Sequence, residues 1–310
     1  MVTELDHLPR EHDRFTRGAI DLHVHGQPDL SRAFENRGDD IATARLAVAY
    51  GLRGWVLKSH VWPTTDRAAV IQREFDPEEF AVFGSITLNP PTGGLSPASV
   101  ELAAAHGARM VFLPTWGAAA EAARSAYISR LLEGIVGRFA EFPSGSALSV
   151  LDDGGRLSPD ARSIVSICLD HGMTLGTGHL SLRESAAIAR RCAELGVRCV
   201  VNHPLHYAES VDELRELTGM GAFVEFSAAP LLHPDSTSSV REVHAAIERL
   251  GPEQVVLTSD AFSRWAPAAP EALRILLEQL AYLGCAPADL ATMTIRNPAR
   301  AIGLAPADPR

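Results

Sequence analysis

Two histidines one residue apart, His23 and His25, carry the densest chemical signal in the chain, within Asp21-Leu22-His23-Val24-His25. A strand repeats every two residues, so Asp21, His23 and His25 share one face while Ile20, Leu22 and Val24 share the other. Three more ligand-type side chains close short apolar runs. They are His179 in Gly176-Thr177-Gly178-His179, His203 in Val201-Asn202-His203-Pro204, and Asp260 in Thr258-Ser259-Asp260. A lone histidine near a strand end is more often a hydrogen-bonded structural residue. Four of them with a carboxylate, all ending strands, fit a ligand set better, because neutral imidazoles plus a carboxylate suit zinc and related first-row divalent ions. The pattern predicts a metal site made of His23, His25, His179, His203 and Asp260.

The elements that must position these residues are equally regular. Apolar, strand-sized runs occur at 19–25, 54–60, 80–89, 109–115, 174–180, 198–204, 223–230 and 255–262. Segments with helical spacing alternate with them, among them 39–50, 97–106, 159–171, 182–195 and 239–250. Gly51, Gly107, Gly172, Gly196 and Gly251 each stand where a helix would stop, and Ser181 and Pro97 where one would start. Eight strand–helix repeats predict an α/β fold, a single-domain (β/α)8 TIM barrel over residues 19–310. No GxGxxG fingerprint supports the open, dinucleotide-binding alternative. Residues 1–18 read as an N-terminal extension, and the stretch around 117–158 as an insertion after strand 4. In such a barrel the chemistry sits at the C-terminal strand ends, where the five ligand candidates lie.

Composition bounds the partners. The 310 residues carry 28 basic and 38 acidic side chains, a net charge of −10, with no basic run. That excludes a nucleic-acid footprint or an anionic-membrane surface and leaves a small-molecule substrate. No stretch approaches the roughly 20 apolar residues of a membrane span, and residues 1–18 lack the apolar core of a signal peptide. A cytoplasmic location is expected, with homo-oligomerisation left open. Cys168, Cys192, Cys199 and Cys285 show no CxxC pairing and are expected to be reduced core thiols.

Other polar residues face the same rim. Val56, Lys58 and His60 share a face of strand 2, and a buried lysine there is costly unless employed. Lys58 has three readings: a carbamate bridge between two metals, a contact to a substrate carboxylate or carbonyl, or an ion pair with Asp21 or Asp260. His60 divides between substrate contact and support of a ligand. Arg32 and Arg37 follow strand 1 and Arg264 follows strand 8, where one could bind an anionic substrate group. Glu225 and Ser227 share a face of strand 7, with substrate contact and a structural role at even odds.

Taken together, HxH on strand 1, histidines on strands 5 and 6 and aspartate on strand 8 resemble the amidohydrolase superfamily. The match spans the chain and extends to Asn297-Pro298-Ala299-Arg300 with Ile302-Gly303-Leu304 near its end. The family usually places a carboxylated lysine or a glutamate on strand 4. Strand 4 here, Arg109 to Thr115, offers neither, and strand 1 starts too early for a flanking β-sandwich. The resemblance implies one or two divalent metals, zinc first with manganese or iron as alternatives. It implies that metal-activated water hydrolyses a C–N bond in an amide, cyclic amide or amidine. By the same resemblance Asp260 is the proton carrier, and His60 or Lys58 steadies the developing oxyanion. Lactone or phosphoester hydrolysis and decarboxylation are the alternatives within the superfamily. A non-catalytic metal- or ligand-binding barrel is the alternative outside it.

Overall fold

A computed structural model describes residues 14–32, 38–136, 138, 147–234, 236–262 and 266–305. Eight strands form one parallel sheet in sequential order: β1 (Ile20–His25), β2 (Gly54–Lys58), β3 (Ala81–Thr87), β4 (Ala108–Phe112), β5 (Thr174–Gly176), β6 (Cys199–Val201), β7 (Phe223–Ser227) and β8 (Val255–Thr258). The ring closes where the Asp260 amide donates to the His23 carbonyl at 3.0 Å. This is the (β/α)8 barrel expected from the sequence.

The helices between strands are α1 (Asp40–Ala49), α2 (Thr65–Gln72), α3 (Pro97–Ala105), α4 (Ala119–Arg124), α5 (Tyr127–Ile135), α6 (Pro159–Asp170) and α7 (Leu182–Leu195). After them come α8 (Val211–Gly219), α9 (Ala228–Leu231), α10 (Val240–Leu250), α11 (Ala269–Leu283), α12 (Pro287–Ala291) and α13 (Asn297–Ala301). Ser181 caps α7 through a reciprocal box with Glu184, and Pro97 opens α3 one residue after its cap, Ser96. The 117–158 stretch contributes α4 and α5. Of the predicted extension, Thr16 is buried and its hydroxyl donates to the Tyr50 carbonyl at 2.7 Å, tying residue 16 to the barrel.

The apolar faces of strands and helices meet in one large core that includes Trp55, Phe80, Val111, Leu175 and Leu257. Inside the ring, Leu22, Val56, Met110, Phe112, Val200 and Val256 fill the lower barrel, with Ile302 beneath them. Apolar filling below leaves the polar residues concentrated at the upper rim. Except for β1, which ends at His25 as expected, the ladders end two to four residues earlier than the apolar runs predicted, and residues 59–60, 177–179, 202–204 and 259–262 form turns and loops instead. In the strand 5 turn, Gly178 adopts φ +60°, and a Cβ there would lie 2.3 Å from the Leu113 carbonyl oxygen. Only glycine lets this chain cross its neighbour so closely. All four cysteines are unpaired, and no described helix is long and apolar enough to cross a membrane.

Candidate metal centre

The strict alternation expected of strand 1 does not hold: β1 has an irregularity between Asp21 and Val24, so Leu22, His23 and His25 face the barrel interior, while Asp21 pairs with Trp55 of the outer core. Asp21 stays below the mouth. It accepts backbone N–H bonds from His23 at 3.0 Å and Ser259 at 3.2 Å, and burial pushes its carboxyl up to about 7. His23 and His25 reach the rim, each anchored from behind by a buried carboxylate. His23 Nδ1 lies 2.8 Å from Glu225 Oε1, and His25 Nδ1 lies 2.8 Å from Asp29 Oδ2. An ionised carboxylate only accepts, so both rings carry their proton on Nδ1 and present a lone pair at Nε2.

Those two lone pairs converge. His23 Nε2 and His25 Nε2 each stand 3.0 Å from the same oxygen, Asp260 Oδ1. Three electron-rich atoms at such range repel one another unless a positive charge sits among them. Lys58 brings one positive charge beside them, and the donor set of two imidazoles and a carboxylate could hold a divalent ion. Without an ion, the pressure falls on the His23 ring. Burial opposes its protonation, but Asp260 and Glu225 outweigh it and lift its pKa to about 9. The same field holds Asp260 well below the usual carboxylate range against the cost of its burial.

His203 stands near this group, with Nε2 3.7 Å from Asp260 Oδ2. Both His203 and Asp260 sit in the left-handed backbone region, at φ 48° and 47°. His179 lies farther out. Its Nδ1 is 3.4 Å from Glu121 Oε2 without a hydrogen bond, and its ring meets that of His203 edge-on. Among the described residues the compact donor groups are His23–His25–Asp260, His23–His203–Glu225 and His25–Asp29–His60. His179 belongs to none of them.

Lys58 is fully buried, with Nζ 2.8 Å from His23 Nε2 and 5.1 Å from the Phe112 ring centre. Burial lowers its pKa, opposed by Asp260, Asp29 and Glu225. Of its three readings, the ion pair with Asp21 or Asp260 does not form among the described residues. His60 stacks on His25 with ring centres 4.3 Å apart, and its Nδ1 also bonds Asp29 Oδ2. Burial, only partly offset by Asp29, holds its pKa down at about 3. Neutral His60 with Nδ1–H on Asp29 keeps a lone pair on Nε2. It is therefore an acceptor rather than an oxyanion donor.

Two carboxylates of this site were not singled out from sequence. Asp29 binds both stacked imidazoles through Oδ2, while its Oδ1 accepts from the Ser59 hydroxyl at 2.6 Å and the His60 amide at 2.9 Å. Its signal was its place four residues after His25, in a loop whose arginines drew the attention. Glu121 reaches the cavity from α4 and accepts from Tyr207 at 3.0 Å, Arg124 at 3.2 Å and Ser125. Strand 4 itself supplies no carboxylate, as read from the sequence, but the helix after it does.

The remaining candidates disperse. Glu225 is fully buried behind His23, where Asn202 and Ser227 each donate to it at 3.0 Å. It orients a ligand from below and lies outside the main cavity's wall. Arg32 is exposed and likewise outside that wall, whereas Arg37 and Arg264 fall outside the described residues. The cavity above the centre measures about 530 Å³ and is walled by Lys58, His60, Glu121, His179, His203 and Asp260, with Arg124, Arg130 and Phe262 among the rest.

The barrel superposes on solved structures of amidohydrolase- and phosphotriesterase-like proteins. An amidohydrolase from Pseudomonas aeruginosa superposes with a TM-score of 0.60 at 13% identity, over 94% of this chain and 97% of its own. The probable dipeptidase PvdM from Pseudomonas aeruginosa gives 0.60 at 14%, over 94% and 96%. The phosphotriesterase homology protein from Escherichia coli, complexed with phosphate, gives 0.57 at 15%, over 92% and 98%. The chain belongs to the family of unknown function DUF6282, whose model matches residues 18–225. No curated protein sequence matches it.

Proposed function

We propose that this protein is a metal-dependent hydrolase acting on a C–N bond of a small amide, cyclic amide or amidine. One observation carries the reading: two carboxylate-anchored imidazoles aim their lone pairs at one oxygen of Asp260, beneath a cavity sized for a small molecule. The neighbours titled amidohydrolase and dipeptidase support the bond type, while those titled phosphotriesterase-like or lactonase support the ester alternatives.

His23, His25 and Asp260 would hold the ion, with His203 the nearest further imidazole. A divalent metal there supplies Lewis acidity and makes a nucleophile of water near neutral pH, by lowering its pKa to about 7. Asp260 Oδ2, the oxygen not shared by His23 and His25, accepts the proton of the attacking water and returns it to the leaving nitrogen. Lys58 donates to the developing oxyanion, a role in which one donor contributes about 3 kcal/mol. Glu225 and Asp29 fix the tautomers that make this division of labour work. A carbamate on Lys58, holding a second metal, is the alternative to that donor role, and intact mass after gentle desalting distinguishes the two.

The test is to strip the protein with chelator, restore zinc, manganese or iron, and assay cyclic amides, linear amides, lactones and aryl esters. Turnover that returns with metal and favours amides supports the reading. Metal-independent turnover, or none on any substrate, overturns it.

A further inference from the structure

Several loop segments wall the cavity above the metal centre, and the one contributed by α4 and α5 brings the most charge. It brings two guanidinium groups, Arg124 and Arg130, into the cavity wall. Of the wall's formally charged side chains, Lys58, Arg124 and Arg130 are cationic and only Glu121 and Asp260 are anionic. Asp260 belongs to the metal centre. Glu121 has its oxygens occupied: Oε2 takes the Tyr207 hydroxyl and Arg124, and Oε1 takes Ser125. Its charge is spent on neighbours that face it.

The guanidiniums are less committed. Arg124 uses Nε and one terminal nitrogen on a single Glu121 oxygen, at 3.2 and 3.1 Å, with its side chain still 30% exposed. Arg130 gives Nη1 to the Ser125 carbonyl and pairs with no carboxylate among the described residues. A guanidinium carries five N–H donors, so most of these remain for a ligand. In a chain of net charge −10, the cavity wall thus carries three cationic side chains against two anionic ones, with both guanidiniums at its α4–α5 side. Low-dielectric walls concentrate the field of such cations on entering anions.

We infer that Arg124 and Arg130 form a subsite for the anionic tail of the substrate, a carboxylate or phosphate, held while the hydrolysable group sits below at the metal centre. The substrate class is therefore a small organic acid rather than a neutral amide or lactone. Planar guanidinium forks match the two oxygens of either anion. The inference that the anion is a substrate rests on the proposed hydrolase reading, whereas the anion site itself does not.

The experiment uses full-length, chelator-stripped and dialysed protein, so that no metal contributes. Calorimetric titrations with glutarate, inorganic phosphate and neutral glutaramide compare the wild type, R130Q, the double variant R124Q/R130Q, and R190Q on an exposed helix face. The expected result is binding of at least one anion and not of glutaramide. R130Q weakens it at least tenfold, the double variant abolishes it, and R190Q leaves it unchanged. Which anion binds separates a carboxylate tail from a phosphate one. Absence of anion binding, equal binding of glutaramide, or wild-type affinity in a double variant that melts normally overturns the inference. Anion binding in a protein without metal-dependent turnover would remove the hydrolase reading and leave the site standing.

Discussion

Asp29→Asn probes the centre through a residue that never touches the ion. Asp29 Oδ2 receives Nδ1–H from both His25 and His60, while Oδ1 receives the Ser59 hydroxyl and the His60 amide. Asparagine keeps one acceptor and gains two donors. Turned one way, its NH2 meets the Ser59 and His60 donors. Turned the other, it faces two imidazoles and forces their protons to Nε2, which removes the lone pair with which His25 binds metal. Either orientation costs a buried hydrogen bond, about 1–3 kcal/mol of stability. The second also weakens metal affinity by about 10- to 100-fold, equivalent to about 1.4–2.8 kcal/mol. Competition titration of zinc and manganese against a chromophoric chelator measures the affinity, with circular dichroism to verify folding. A folded D29N protein whose His25 proton has moved to Nε2, read by 15N NMR of the imidazole, yet whose affinity stays within twofold of wild type would refute the tautomer argument.

Other expectations follow from the same geometry. Zinc at 100 times its dissociation constant should stabilise the stripped protein by about 2.7 kcal/mol, read as a rise in Tm, and no rise would remove the metal site. Lys58→Met keeps the buried stem and should lower kcat by about 10²–10³ while metal affinity holds or improves, because the ammonium no longer competes for His23 Nε2; a loss of metal affinity would instead favour a carbamate bridge. Gly178→Ala should prevent soluble expression or cost more than about 3 kcal/mol, since its Cβ would strike two carbonyl oxygens at 2.3 and 2.6 Å in a left-handed turn. His206 has a folded pKa of about 4 against 6.5 as the ordinary value, so the unfolded chain binds its proton first. Its contribution to stability is complete above pH 6.5 and is lost as pH falls towards 4, up to about 3 kcal/mol. Denaturant melts from pH 8 to 4 should show a shallower acid limb in His206→Gln.

The sequence carried the barrel because each strand is a run of apolar residues and each crossover a capped helix, and both patterns are local. It carried His23, His25 and Asp260 as ligand-type residues at strand ends, although a bulge between Asp21 and Val24 breaks period two in β1 and Asp260 lies in the turn after β8. What period two does not encode is height along the barrel axis. Glu225 has the inward parity of a site residue, yet it lies below the mouth and serves His23. Strand ends were overread for a related cause: residues such as Thr177 and Asn202 are buried by the turns they make, so burial continued after the ladder stopped. Asp29 and Glu121 come from a loop and a short helix with no period to expose them. They became visible only as partners of histidines already in place.

The left-handed backbones of His203 and Asp260 bear on how this family can change. A non-glycine residue in that region costs on the order of 1 kcal/mol or more, and glycine would relieve it. Selection for a robust scaffold alone therefore pushes both positions toward glycine, away from the chemistry they serve. A relative that keeps the barrel but carries glycine at either place has traded its centre for a quieter backbone. Attempts to harden this protein for use should leave those two turns untouched and look for gains in the outer helices.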